Sequence, residues 1–346
     1  MALSRVGMVC KGDDIIPPML VINRREVESL IDLDELVDAL APAMVELSAG
    51  TVSLPPRIAA DVPARSAFVG VMPTYLPSSE SLVVKLVSVF PQNDALGLES
   101  HQAVIAVFDA GTGVIEAVMD GSYITATRTA AGSALATRLL AREDAHVLAL
   151  LGTGVQARAH ARAIPRVRAV REIRVAGRNR EKAVAMAREL SDELGLTVVA
   201  AASYEEAASG ADIVCTATHS TEPVLHWQWL RAGAHVNSVG LNPAGRELDD
   251  DTVANSLVVV ESRASALGPP PAGANDLLWP IRDGRIAESH VHAEVGELIS
   301  GVKPGRTSAE QVTLYKSVGV AVQDAVAARL VLEKARALGM GTEVAL

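Results

Sequence analysis

An α/β protein with two unlike parts is predicted by three features of the chain. An apolar run at 148–151 opens into Gly152-Thr153-Gly154-Val155-Gln156-Ala157 and then a helical pattern. From about residue 125 onward, strand-like and helix-like segments alternate, which calls for a parallel sheet with crossover helices. Residues 68–119 instead carry several strand-like segments with no helix between them, the pattern of an antiparallel sheet. Together these predict a Rossmann-type dinucleotide-binding domain plus a discontinuous α+β domain.

The elements follow in order. Residues 19–23 read as a short strand. A helix over about 34–49 places Leu36, Val37, Leu40, Met44 and Leu47 on one face, with Gly50 past its end. Strands are predicted at 68–72, 82–89, 103–108 and 114–119, the last two flanking the hairpin loop Asp109-Ala110-Gly111-Thr112-Gly113. An alanine-rich helix over 125–141 leads into strands near 147–151, 173–176, 197–200, 212–216, 235–239 and 257–260. A loop, Gly268-Pro269-Pro270-Pro271-Ala272-Gly273, interrupts the later part, and 314–338 reads as one long helix ending at Gly339. The expected division is residues 1–128, with 318–346 returning to them, against 129–317.

Bulk properties exclude several functions. With 346 residues the chain has length for two cores, and 49% apolar with 21% charged residues is ordinary for a soluble protein. A net charge of −10 argues against a nucleic-acid partner. Cys10 and Cys215 are too few and too far apart for a disulfide framework, which fits a reducing compartment. The opening Met1-Ala2-Leu3-Ser4-Arg5 lacks the apolar core of a signal peptide, and no apolar stretch approaches the ~20 residues that span a bilayer. A cytoplasmic protein without a membrane partner is the expectation.

The glycine turn carries the clearest chemistry. Gly152 permits a sharp turn, Gly154 lets backbone approach a pyrophosphate, and Ala157 lets the helix pack closely on the strand. Thr153, Val155 and Gln156 complete the turn and the helix start, whose free N–H groups favour phosphate. NAD enzymes usually place an acid on the ribose 2′-OH about 20 residues further on. Here the second strand ends in Gly177-Arg178-Asn179-Arg180, which would repel no 2′-phosphate and can bond one, so NADP(H) is expected over NAD(H). The alternative is a glycine turn of another α/β protein with solvated arginines. Thr216 and Thr218 after the fourth strand of this unit, and Val239 and Gly240 after the fifth, are the remaining candidate cofactor contacts; His219 suits either cofactor or water. His290-Val291-His292 lacks a third ligand at recognisable spacing, so no metal is expected.

Three cations stand out elsewhere. Lys85 shares an apolar strand face with Val83, Val87 and Val89, which is costly unless it pairs with an anion; an edge-strand lysine guarding against aggregation is the alternative. Arg128 stands at the start of an otherwise small-residue helix, where a cation opposes the dipole and calls for an anionic partner. Arg57 is held by the stiff loop Leu54-Pro55-Pro56, though a surface arginine would show the same pattern. Together they suggest a carboxylate clamp, in which guanidinium forks hold the carboxylate and fix its α-carbon.

These pieces form a set. Leu54-Pro55-Pro56-Arg57, Val84-Lys85-Leu86-Val87-Ser88-Val89-Phe90-Pro91-Gln92-Asn93, Met119-Asp120-Gly121-Ser122-Tyr123-Ile124-Thr125, Arg128-Thr129-Ala130-Ala131, the glycine turn and Lys316-Ser317-Val318-Gly319-Val320-Ala321-Val322-Gln323-Asp324 resemble the ornithine cyclodeaminase/μ-crystallin family of nicotinamide-dependent amino- and imino-acid enzymes. The resemblance implies that Arg57, Lys85 and Arg128 bind a substrate α-carboxylate, that nicotinamide C4 exchanges hydride with the α-carbon, and that two copies join through the first domain. Lys85 then becomes a candidate proton donor to an imine nitrogen. The chain departs from the family where cyclodeaminases carry a catalytic aspartate: Asn242, in Gly240-Leu241-Asn242-Pro243, stands nearest that position and cannot act as a base. The expected activity is NADPH-dependent reduction of small cyclic imino acids. Reductive amination of 2-oxo acids, as in alanine dehydrogenase-like members, comes next, then cyclodeaminase chemistry. Cyclodeaminase chemistry would require Glu247 or Asp249 in the pocket. A binding protein of the μ-crystallin kind is the non-enzymatic alternative.

Overall fold

The computed structural model describes residues 17–269 and 271–345. The opening pentapeptide, Cys10 and Pro270 of the proline-rich loop lie outside these residues. The chain begins with β1 (Met19–Ile22), α1 (Arg24–Leu30) and α2 (Leu33–Ser48), then β2 (Ile58–Val62), β3 (Ala67–Leu76), β4 (Ser81–Val89), β5 (His101–Phe108) and β6 (Ile115–Asp120). Asp120 accepts the backbone N–H of Tyr123 and so caps α3 (Gly121–Leu140), which carries the chain across to a second sheet.

There the order is β7 (Val147–Leu151), α4 (Val155–Ala163), β8 (Glu172–Ala176), α5 (Arg180–Leu194), β9 (Thr197–Ala200), α6 (Tyr204–Ala208), β10 (Ile213–Thr216) and β11 (His235–Ser238). It continues with α7 (Asp250–Ala254), β12 (Leu257–Val260), α8 (Arg263–Ala266), α9 (Asn275–Arg282), β13 (Val291–Glu294), α10 (Val295–Ile299) and β14 (Thr313–Lys316). The chain then returns through α11 (Ala321–Leu338) to β15 (Thr342–Val344).

Two sheets result. The first runs β15-β1-β6-β5-β4-β3-β2, with antiparallel pairing from β2 through β6. The second runs β13-β12-β14-β11-β10-β7-β8-β9 and is parallel throughout. Its strands from β9 to β14 have the doubly wound Rossmann order, reversing between β7 and β10, so the ligand crevice belongs at the carboxyl ends of those two strands. Every residue of β7 is buried, as a strand covered on both faces by helices requires.

Two predicted elements are corrected. Residues 314–338 are not one helix: Leu314 and Tyr315 belong to β14, between β11 and β12, and the helix begins only at Ala321. A short apolar run does not reveal by periodicity whether it is buried strand or buried helix, and here Gly319, at φ +71°, divides the two. The alanine-rich helix likewise starts at Gly121, which puts Arg128 about two turns inside it, not at its start. The dipole argument for an anionic partner of Arg128 therefore fails, and burial replaces it.

Candidate functional site

At the end of β7 the backbone makes the turn that the glycines allow. Gly152 adopts φ +132°, and a Cβ there would lie 2.4 Å from the carbonyl oxygen of Ala217, just past β10. Only glycine lets the two strand ends approach this closely at the reversal point. Gly154 is the N-cap of α4 with no side-chain cap, so the N–H groups of the first turn, at Val155 and Gln156, have no capping acceptor. A Cβ on Gly154 would meet nothing within 4 Å, so the backbone at the helix start is open to close approach. Gln156 Oε1 is buried without a hydrogen-bond partner among the described residues. The uncapped helix start and the open glycine turn fit a pyrophosphate-bearing cofactor.

The basic turn stands beside it. A Cβ on Gly177 would come within 2.7 Å of Thr153 Cγ2, so the end of β8 packs directly on the glycine turn. Asn179 uses its side chain to cap α5, accepting the Lys182 N–H at 2.9 Å. Arg178 and Arg180 are exposed, and neither forms an ion pair with another described residue.

Across the reversal, the ends of β10 and β11 are tied together by Glu247, which is 2% exposed. Its Oε1 accepts from Thr218 N–H (2.6 Å) and Thr218 Oγ1 (2.7 Å). Its Oε2 accepts from Thr216 Oγ1 (2.7 Å), Gly240 N–H (2.8 Å) and Ser238 Oγ (3.2 Å). Val239 N–H donates to the Thr216 carbonyl at 3.0 Å and completes the seam. Lys316, at the end of β14, is buried beside it and donates to Ser238 Oγ (3.0 Å), the Gly240 carbonyl (2.7 Å) and Asp276 Oδ2 (2.8 Å). Asn242 has a loop-holding duty: its Nδ2 donates to the carbonyls of His219 and Ser220, and its Oδ1 accepts from Ala244 N–H. Asp249 caps α7 and bonds His226.

Three residues beyond β14 the chain reaches the cations. Glu261 accepts from Ser317 Oγ and from the N–H groups of Val318 and Gly319, fixing that segment. The carbonyls of Val318 and Gly319 in turn accept from Arg57 Nη2 at 3.0 and 2.7 Å. Lys85 lies on an interior strand, 2% exposed, which removes the edge-strand alternative. Its anion is Asp324 of α11: Lys85 Nζ donates to Oδ2 at 2.8 Å, and Arg128 Nε donates to Oδ1 of the same carboxylate at 2.9 Å. Arg128 Nη1 also donates to Gln323 Oε1 at 2.9 Å.

Burial pushes the Lys85 ammonium down, Arg128 pushes it further, Asp324 partly restores it and Arg57 lowers it again, leaving it at about 8. Arg57 is lowered chiefly by burial and then by Arg128. Asp324 is held below the ordinary carboxylate range by Arg128 and Lys85, against its own burial. Among the described residues, Arg128 Nη2 and Arg57 Nε and Nη1 form no hydrogen bond, and Lys85 uses one of its three donors. The cluster can accept a small carboxylate and present an ammonium proton near neutral pH. Cys215, by contrast, is buried in β10 with its thiol pushed up to about 12, chiefly by desolvation. His290 and His292 bond backbone carbonyls of Val253 and Pro304.

The sequence points to the cations but not to Asp324, which pairs with Lys85 and Arg128, nor to Glu261 and Asp276, which hold the 317–319 segment and Lys316. The signal available was polarity out of place, as in Gln323-Asp324 within an otherwise apolar, alanine-rich helix.

A Rossmann-type sheet, a glycine turn at its reversal point and a second sheet presenting buried cations define the class: a two-sheet α/β protein with a Rossmann-type crevice. The chain belongs to the ornithine cyclodeaminase/mu-crystallin family, whose model matches residues 19–339. It is 37% identical to the Delta(1)-pyrroline-2-carboxylate reductase of Bacillus cereus (strain ZK / E33L) over 328 residues, 94% of this chain and 99% of that one. The structure of Thermococcus litoralis Delta(1)-pyrroline-2-carboxylate reductase in complex with NADH and L-proline superposes with a TM-score of 0.91 at 40% identity, covering 94% of this chain and 100% of the other. An archaeal alanine dehydrogenase dimer with bound NAD gives 0.86 at 29% identity, over 94% and 98%.

Proposed function

We propose that the protein is an NADPH-dependent reductase of small cyclic imino acids, of the Δ1-pyrroline-2-carboxylate or Δ1-piperideine-2-carboxylate type, yielding the L-amino acid. The observation that carries this is the convergence of Arg57, Lys85 and Arg128, with unused donors, onto the segment that follows β14 of the Rossmann sheet. The reductase and dehydrogenase relatives support it. Arg128 and Arg57 would hold the substrate carboxylate, since forked guanidinium donors match its two oxygens. Lys85 would supply the proton that the imine nitrogen takes up as the carbon–nitrogen double bond becomes single. When bound, the nicotinamide cofactor supplies the hydride to the α-carbon. Gly152, Thr153, Gly154, Val155 and Gln156 would cradle its pyrophosphate, and Arg178 and Arg180 would bond a 2′-phosphate, with Asn179 shaping their turn.

Proton abstraction at the position of Asn242 has no support, because that amide is bonded to loop backbone and the nearby carboxylates of Glu247 and Asp249 are engaged. This favours reduction over cyclodeamination. The outer face of the first sheet carries a row in register, Ile58–Val71–Leu86–Val104, in which Ile58, Leu86 and Val104 are exposed. An apolar face of this kind suits a homodimer contact.

The test is cofactor oxidation with a panel of cyclic imino acids, and with 2-oxo acids with and without ammonia, using NADPH and NADH in parallel. Turnover of a five- or six-membered cyclic imine with NADPH preferred is expected. Turnover only with a 2-oxo acid plus ammonia would replace the substrate assignment, and tight NADPH binding without any turnover would make this a binding protein.

A further inference from the structure

We propose that Glu247 is a positioning residue for the nicotinamide end of the cofactor. Its carboxylate fixes the two loops, 217–219 and 239–241, that border the crevice at the carboxyl ends of β10 and β11. This rests on the nicotinamide-cofactor reading above.

The geometry is specific. All five groups that contact the carboxylate are donors, from two loops and two strand ends, and each oxygen takes one backbone N–H: Thr218 on Oε1 and Gly240 on Oε2. The loops are thus held by one side chain acting as acceptor on both sides. Gly240 is part of the same device, because a Cβ there would lie 2.2–2.6 Å from the Glu247 carboxyl atoms. Its glycine makes room for the carboxylate. Behind it, Asp276 Oδ1 accepts the N–H groups of Glu247 (2.8 Å) and Leu248 (2.9 Å), and Asp276 Oδ2 pairs with Lys316, so the backbone of Glu247 is fixed as well. In a doubly wound sheet these strand ends lie beyond the reversal point from the glycine turn, so they act on the part of the ligand farthest from the 2′-phosphate turn at the end of β8.

Glu247→Gln is a stringent probe. Whichever way the amide is turned, its NH2 faces a backbone N–H, of Thr218 or of Gly240, and that loop must move. The experiment compares the full-length protein with this variant for binding of NADPH and of 2′-phospho-ADP-ribose, which lacks the nicotinamide. The expected result is roughly tenfold weaker NADPH binding with the fragment changed by less than about twofold, together with a fall in kcat. Thr216→Val, nearly isosteric and removing one donor to Oε2, gives the same pattern at about threefold and carries the test if Glu247→Gln does not fold. Equal weakening of both ligands would make Glu247 a general structural residue and overturn the proposal, as would no change in either. Wild-type protein that binds neither ligand would overturn the cofactor reading along with it.

Discussion

Two buried charge networks lie near the carboxyl end of β14, one around Asp324 and one around Lys316, and they differ in how fully their donors are used. In the first, Lys85 and Arg128 share the single carboxylate of Asp324, while Arg57 bonds the Val318 and Gly319 carbonyls of the segment that Glu261 holds. In the second, Lys316 is matched by Asp276 beside Glu247, and each of the three Lys316 donors has an acceptor. The first keeps an excess of cation and unused N–H groups; the second has its lysine saturated. An excess of donors is what the proposed carboxylate binding needs, whereas a saturated network is occupied in holding backbone. The same residue type, lysine, serves each purpose, and its bond count tells them apart.

Substituting each lysine tests that contrast. Lys85→Met should lower kcat by about 10²–10⁴ at saturating imino acid, the usual contribution of a positioned proton donor. Its stability should fall less than that of Lys316→Met, because Asp324 keeps the charge of Arg128. Full turnover in this variant would remove Lys85 from the chemistry. Lys316→Met should behave the other way. It leaves Asp276 Oδ2 and the Gly240 carbonyl without their buried partner, a loss of about 3–5 kcal/mol measurable by chemical denaturation. Its folded fraction should lose less turnover than Lys85→Met does. A Lys316→Met protein as stable as the native one would show that the second network does not hold the fold.

How far the sequence discloses this contrast depends on whether local pattern determines the feature. The glycine turn and β7 were legible, because a parallel strand buried on both faces is an uninterrupted apolar run and the turn after it needs glycine at fixed places. Lys85 was legible as a misfit on an apolar strand face. Its partner was not, since Asp324 lies 239 residues away and only the return of α11 to the first sheet brings them together. Leu314 and Tyr315 read as helix in the sequence for the same reason: their strand exists because β11 and β12 flank it. Glu247 stood in the sequence as a possible pocket carboxylate, and only the positions of Thr218 and Gly240 reveal that it is fully engaged.

The smallest effect is the most diagnostic. Lys85 is held at about 8 by opposing influences: burial, Arg128 from α3 and Arg57 from the 54–57 segment lower it, while the charge and hydrogen bond of Asp324 from α11 raise it. Asp324→Asn removes the only one of these that favours the ammonium, so Lys85 must lose its proton at lower pH. If the protonated amine donates to the imine nitrogen, kcat declines as pH rises through the Lys85 value, and that decline should move to lower pH by at least about one unit, each unit corresponding to roughly 1.4 kcal/mol of lost interaction. Near pH 6 the variant should keep most of its turnover; above pH 8 it should lose about tenfold more than the native enzyme. A purely structural role for Asp324 would instead lower kcat alike at every pH. A decline set by the imine substrate's own ionisation would stay in place when Asp324 is changed, so an unmoved profile would separate the proton donor from the buried lysine.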